Sequence, residues 1–90
     1  MKMIELNRHE ACRLLHSARN YQDCGSSVQE IITLCKHRLA MGNPVVLGGY
    51  QIDSAFDILT DAWCKAVRTG DKEEARHYKG LIYKVHAALN

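Results

Sequence analysis

The sequence predicts an all-α domain, a small four-helix bundle in which helices three and four form an antiparallel hairpin. Apolar residues recur at the helical spacing in four successive segments. Residues that favour helix N-termini precede these segments, and glycines separate them. The length of 90 residues allows one domain, 1–90. The composition, with 47% hydrophobic and 24% charged residues, is ordinary for a globular protein.

The first helix is predicted over about 8–22. Asn7 is a favourable N-cap, and Glu10 three residues later completes a capping box, in which each side chain bonds the other residue's backbone N–H. The apolar stripe that follows consists of Ala11, Leu14, Leu15, Ala18 and Tyr21. Gly25 is placed to end this helix, because glycine readily adopts the left-handed backbone conformation of a helix terminus.

The second helix is predicted over about 27–41, with Ser26 or Ser27 as its N-cap. Its buried stripe is expected to contain Val28, Ile31, Ile32, Cys35 and Leu39. Gly42 and Pro44 end it, because neither residue continues a helix favourably.

The third helix, predicted over about 51–69, has the most regular apolar pattern of the chain. The residues of its stripe are Ile52, Ala55, Phe56, Leu59, Ala62, Trp63, Ala66 and Val67. Large rings bury the most area per residue, so we expect Phe56, Leu59 and Trp63 at the centre of the core.

The fourth helix is predicted over about 72–89, with Asp71 as its N-cap and Glu74 completing a second capping box. Its buried side is expected to consist of Ala75, Tyr78, Leu81, Ile82, Val85 and Leu89. The link from helix three, Thr69-Gly70-Asp71, is so short that the two helices must lie antiparallel.

The hairpin over 62–78 resembles a tetratricopeptide-type helix pair in its Gly70-Asp71, Glu74-Ala75 and Tyr78 pattern. The resemblance covers roughly a third of the chain. Only one copy of the pattern is present, whereas an array of such repeats needs about three copies to be stable. The resemblance therefore implies a packing geometry and no function.

Charge and hydropathy exclude several classes of protein. The net charge of +2 is too small to require nucleic acid or an anionic membrane as partner. No apolar run approaches the roughly 20 residues of a membrane span, and the N-terminus lacks the apolar stretch of a secretion signal. We therefore expect a cytoplasmic protein that does not bind membranes and keeps its four cysteines reduced. Cys35 is expected to be a small core residue.

The segment 44–50 is the least expected part of the sequence, because Val45, Val46 and Leu47 are consecutive aliphatic residues where a loop should be polar. Either they fold back over the open end of the bundle, or they form, with Tyr50, a docking loop or a strand that pairs with another chain. Our leading hypothesis is a small non-enzymatic regulatory protein that binds another protein through this segment. The same surface would serve a homodimer. An inhibitor of a larger machine, of the kind that phages and mobile elements encode, would fit this size.

An alternative function is a small nucleic-acid-binding regulator. Lys72, Arg76, Lys79 and Tyr83 fall on one side of the fourth helix, where cations bind phosphates and an aromatic ring stacks on a base. A solvated face would show the same residues, and the glutamates at 73 and 74 weaken its positive field.

A third hypothesis is a metal-stabilised helical module. His9, Cys12 and His16 follow one flank of the first helix, and Cys24 or His37 would have to supply the fourth ligand. No paired CxxC or HExxH motif is present, so we expect no metal and no other cofactor. The chain also lacks a nucleophile elbow, a phosphate loop and a dinucleotide fingerprint, and we expect no catalysis.

Three aspartates, Asp53, Asp57 and Asp61, repeat at every fourth residue of the third helix. Like charges at this spacing repel one another by a few tenths of a kcal/mol. A basic partner would explain the stripe, although a solvated face does so more often.

Overall fold

The computed structural model describes residues 2–23 and 25–89. Within them the chain forms two strands and four helices. In chain order these are β1 (Met3–Leu6), α1 (Arg8–Arg19), α2 (Ser26–Met41), β2 (Val45–Gly48), α3 (Tyr50–Thr69) and α4 (Lys72–Leu89). The four helices are confirmed, and α3 and α4 pack closely together across a two-residue break, Gly70-Asp71.

The expectation of an all-α fold is wrong in one respect, because β1 and β2 pair as a two-stranded antiparallel sheet. Leu6 lies opposite Val45, and Ile4 lies opposite Leu47. Leu6, Val45 and Leu47 are completely buried. Each strand has only four residues, which is too short for a clear alternating pattern, and its partner is some 40 residues away in sequence.

The helix termini agree with the predicted caps only in part. Asn7 and Glu10 form the predicted capping box, with both side-chain-to-backbone hydrogen bonds at 2.9 Å. α1 ends at Arg19, three residues earlier than predicted, because Asn20 closes its last turn with hydrogen bonds to the carbonyl oxygen of His16. Gly42 and Gly70 end α2 and α3 in the left-handed conformation, as predicted.

The predicted serine cap of α2 and the predicted role of Gly25 are both wrong. α2 begins at Ser26, its N-cap is Gly25, and no side chain caps its first turn. The backbone N–H of Gly25 instead donates to the carboxylate of Asp23 at 2.9 Å. At α4, Asp71 accepts from the backbone N–H of Glu74 at 3.1 Å as predicted. The second capping box is nevertheless incomplete, because the Glu74 carboxylate binds Arg13 of α1 and the backbone N–H of Asp71 donates to Ala66.

The buried side of α3 is rotated from the predicted one. Leu59 is fully buried, as expected, whereas Phe56 and Trp63 are half-buried and Ile58 is only 1% exposed. Small residues, chiefly Ala55 and Ala66, lie within the buried arc. Their size permits close approach of the neighbouring helices, so the two rings lie at the flanks of the contact.

The order of elements is a strand followed by two helices, repeated once. The two βαα units also share their pattern of buried positions. Ala11, Leu14, Ser17 and Ala18 of α1 match Ile52, Ala55, Ile58 and Leu59 of α3, each 41 residues later. Val28, Ile31 and Cys35 of α2 match Tyr78, Leu81 and Val85 of α4, each 50 residues later. In the same way Leu6 of β1 matches Leu47 of β2, and the two residues occupy equivalent places in the antiparallel pairing.

The helices enclose one core beneath the inner face of the sheet. α1 packs on α2, α3 packs on α4, and α1 contacts α3 between the two pairs. In the part of the chain that the structure describes, no helix is both long enough and apolar enough to cross a lipid bilayer.

Candidate functional site

The structure places the four predicted partner-binding residues in different environments. Val45 and Leu47 are 0% exposed, because they belong to the inward side of β2. Val46 is half-buried on the other side of the strand, and Tyr50 is 58% exposed at the start of α3. The strand that pairs with this segment is β1 of the same chain, so in the folded monomer a partner has access to Val46 and Tyr50 but not to Val45 and Leu47.

Tyr50 is held in a defined position on the surface. Gly49, with a φ of 54°, turns the chain from β2 into α3 and leads directly to this ring. The Tyr50 hydroxyl donates a hydrogen bond to one carboxylate oxygen of Glu30, and the Gln51 side-chain amide donates to the other at 3.1 Å. The hydrogen bond to Glu30 raises the pKa of Tyr50 above its ordinary value.

Beside Tyr50 lies a cavity of about 470 Å³ between α2 and the first turn of α3, which we call the α2–α3 groove. Its lining residues are Ser26, Gln29, Glu30, Thr33, Leu34, His37 and Gln51. Glu30 is the one carboxylate among them, and its two oxygens already bind Tyr50 and Gln51. The groove therefore carries a single negative charge, that of Glu30, and is lined by no Lys or Arg, with the hydrogen-bonded ring of Tyr50 at its edge.

A second cavity, of about 380 Å³, separates α1 from α4, and we call it the α1–α4 groove. Its lining residues are Asn7, His9, Glu10, Arg13, Arg76, His77, Gly80 and Leu81. Two salt bridges connect the helices here, Arg13 to Glu74 at 2.7 Å and Lys84 to Glu10 at 2.8 Å. The hydrogen bond with Glu74 raises the pKa of Arg13, whose guanidinium also lies 5.6 Å from the ring centroid of Tyr78.

All four residues of the predicted nucleic-acid surface are exposed on α4. The Lys79 ammonium lies 5.9 Å from the ring centroid of Tyr83, and Arg76 also lines the α1–α4 groove. His9 and Arg13 of α1 line the same groove, and the sequence did not associate them with α4. Only a contact between helices more than 60 residues apart, such as Arg13 with Glu74, brings them together, so no local pattern could have identified them.

The structure does not assemble the predicted metal ligands. His9, Cys12 and His16 are exposed on α1, while His37 lines the α2–α3 groove on α2. Among residues 2–23 and 25–89, no three His, Cys, Asp or Glu side chains converge on a position where they would hold a metal ion. Cys24, the other suggested ligand, lies outside the described residues.

Three of the cysteines are free thiols in very different environments. Cys12 is exposed, Cys64 is half-buried and Cys35 is completely buried. Burial, with a smaller contribution from nearby Cys12, raises the pKa of Cys35 to about 11. Cys35 therefore remains a neutral thiol in the core, as expected from its position in the α2 stripe.

The aspartate stripe of α3 lies near Tyr21, just after α1. Burial raises the pKa of Tyr21, and the negative charges of Asp57, Asp23 and Asp61 raise it further. The Asp61 carboxylate also accepts a salt bridge from Lys65 at 2.9 Å. The stripe is thus a partly compensated acidic surface.

No known protein family, curated protein or solved structure matches this chain.

Proposed function

We propose that this protein is a small, non-enzymatic regulatory protein that binds another protein through the α2–α3 groove and Tyr50. The observation that carries the proposal is the ring of Tyr50, 58% exposed and hydrogen-bonded to Glu30, beside a groove whose lining contains one carboxylate and no Lys or Arg. This surface replaces the buried residues Val45 and Leu47 as the contact region, while Tyr50 is kept from the sequence prediction.

The surface shares two features with the centre of a protein interface, an exposed tyrosine and a lining that contains one carboxylate and no Lys or Arg. Such centres are depleted in charged residues, and tyrosine is among the residues that contribute most binding energy. The hydrogen bond from Tyr50 to Glu30 restricts the ring before binding, so less side-chain entropy is lost when a partner covers it. Leu34, half-buried in the groove, adds apolar surface that a partner would remove from water.

Two finer parts of the proposal concern the identity of the partner. A second copy of the chain could occupy the groove, which would make the protein a homodimer. If a different protein occupies the groove, this chain would be a cytoplasmic inhibitor of a larger machine, of the kind that phages encode. The chemistry of the groove is the same for both, and the experiment below separates them.

The test is affinity capture from a lysate of the native source, after nuclease treatment and at high salt, with wild-type and variant proteins. Tyr50→Ala removes the ring, and Thr33→Arg introduces a charged side chain into the groove. Tyr83→Ala is the matched control, because Tyr83 is 64% exposed but lies on α4. We expect both groove variants to lose the captured protein and the control to retain it.

Analytical ultracentrifugation of the same proteins tests the homodimer. If the partner is a second copy, the wild-type protein sediments as a dimer and Tyr50→Ala as a monomer. A captured protein that all three variants retain, or that only Tyr83→Ala loses, would refute the proposed surface.

A further inference from the structure

The α1–α4 groove and the adjoining outer face of α4 form a surface with several Lys and Arg residues. Its Lys and Arg residues are Arg13, Lys72, Arg76, Lys79 and Lys84, and its carboxylates are Glu10, Glu73 and Glu74. Two of these carboxylates are already neutralised by salt bridges to Arg13 and Lys84. Within residues 2–23 and 25–89, no carboxylate lies within salt-bridge distance of Lys72, Arg76 or Lys79.

These unpaired cations surround an exposed aromatic ring. Tyr83 is 64% exposed, and the Lys79 ammonium lies 5.9 Å from its ring centroid. Arg76 lies on the same side of α4, two turns before Tyr83, and reaches the groove between the helices. A cationic groove beside an accessible ring is the arrangement by which proteins bind single strands, with phosphates on the cations and bases on the ring.

Gly80 leaves the floor of the groove open between these residues. A Cβ atom there would have no heavy atom within 4 Å, so packing does not require a glycine. Glycine is unfavourable in a helix interior, yet here it keeps the backbone of α4 accessible beside Arg76 and Tyr83. A ligand can therefore approach the helix closely at this position.

The corresponding groove of the other βαα unit shows that the fold does not require this charge. The residues of α2 that correspond to Lys79, Tyr83 and Lys84, each 50 positions earlier, are Gln29, Thr33 and Leu34. They line the α2–α3 groove at the equivalent place and carry no charge. The cations and the ring, which lie on the face of α4 beside the α1–α4 groove, are thus not required by the fold.

From this geometry we infer that the α1–α4 groove binds single-stranded nucleic acid, independently of the proposed protein-binding surface. Arg76 and Lys79 contact successive phosphates, and one unstacked base lies on the ring of Tyr83. In a duplex each base is already stacked between its neighbours and paired, so the ring has no free base to receive. A single strand is therefore preferred over a duplex.

The test is fluorescence anisotropy with a labelled oligothymidylate of about 15 nucleotides, within the range of single-strand site sizes, and with a duplex of the same length. We expect the single strand to bind at low salt and to dissociate as salt rises. Arg76→Glu should weaken binding by about 10-fold, and Tyr83→Ala by a similar factor, while Tyr83→Phe retains it. Circular dichroism confirms that these surface variants are folded.

The matched control is Lys36→Glu, which changes the net charge as Arg76→Glu does but lies exposed on α2. We expect it to weaken binding less than about 2-fold, because it contacts no phosphate in the groove. Tyr50→Ala should leave the affinity unchanged, so failure here and failure of the protein-binding proposal are distinguishable. Absence of single-strand binding at low salt, an equal loss with Lys36→Glu, or equally tight duplex binding would overturn the inference.

Discussion

The two βαα units have the same order of elements and share most of their buried positions, but their grooves differ in chemistry. In each unit the second helix forms a groove with the first helix of the other unit, giving the α2–α3 and α1–α4 grooves. The first contains one carboxylate, that of Glu30, and no Lys or Arg, and has a hydrogen-bonded tyrosine at its edge. The second is lined by Arg13, which is paired with Glu74, and by Arg76, which has no carboxylate partner among the described residues. The comparison shows that the core pattern fixes the backbone layout and leaves the exposed positions of each groove free to differ.

The two grooves are also held together differently. α2 packs directly on α3, and Glu30 joins the helices through Tyr50 and Gln51. α1 and α4 are instead connected by the salt bridges of Arg13 and Lys84, both long side chains. Long side chains hold helices apart and leave polar atoms near the surface, where water and ions compete for them. The α1–α4 groove is therefore the side of the molecule more sensitive to salt.

The largest effect is expected in the sheet that relates the two units. Leu6→Ala and Leu47→Ala each remove a fully buried side chain at equivalent positions. Each should lower the free energy of unfolding by about 2–5 kcal/mol, and by similar amounts. Val46→Ala, between the two buried residues of β2, should cost less than about 1 kcal/mol. Urea denaturation measures all three. A large difference between the stability losses of Leu6→Ala and Leu47→Ala would refute the equivalence of the two positions. If Leu47→Ala left the free energy of unfolding unchanged, the segment 44–50 would be a docking loop and not part of the core.

The second prediction concerns Cys35→Val, which replaces a core residue of α2 by the residue at the equivalent position of α4. Cys35 of α2 corresponds to Val85 of α4, and its pKa is raised to about 11. Above the ordinary thiol pKa the unfolded chain ionises while the folded chain keeps its proton, so stability is complete below pH 9 and falls as the pH rises toward 11. The loss is on the order of 2 kcal/mol. Cys35→Val should remove this part of the alkaline destabilisation, measured as the difference in unfolding free energy between pH 8 and 10.5.

The reactivity of the thiols provides a check on the Cys35 prediction. Alkylation of the native protein at neutral pH, followed by mass spectrometry, should modify Cys12 first and Cys35 last. Early modification of Cys35 would show that the α2 core opens readily, and the pH prediction would then fail.

The third prediction concerns Gly80 in the floor of the α1–α4 groove. Gly80→Ala adds a methyl group where no atom lies within 4 Å and where the backbone has no positive φ. Because alanine favours the helix, the protein should be stabilised by up to ~1 kcal/mol, which for a domain of this size raises Tm by roughly 4–8 °C. Differential scanning calorimetry measures the shift. A lower Tm would mean that α4 packs against α1 more closely than this groove allows.

The smallest effect is expected for the salt bridge between Arg13 and Glu74. Both side chains are partly exposed, so Glu74→Gln should cost about 0.5–1 kcal/mol at low salt and less at high salt. A double-mutant cycle with Arg13→Gln isolates the coupling between them. A coupling that does not change with salt would contradict the view that the α1–α4 groove is held together through solvent-exposed charges.

The sequence by itself determined the features that depend on residues close in the chain. The capping box of Asn7 and Glu10, the stops at Gly42 and Gly70 and the core position of Cys35 were all predicted correctly. Each follows from groups within about one or two helical turns of each other, so the short-range pattern contains the necessary information. The predicted serine cap of α2 is wrong, because Gly25 occupies the N-cap position and Ser26 is the first residue of the helix.

Only the tertiary structure determined the pairing of β1 with β2, the burial of Val45 and Leu47, the side of α3 that is buried and the residues that line both grooves. The apolar run at 45–47 indicated that these residues must be buried, but not against which part of the chain. The answer is β1, whose pairing residue Leu6 is about 40 positions away. An apolar stripe states that one side of an element is covered, whereas the identity of the cover depends on how all the elements pack together.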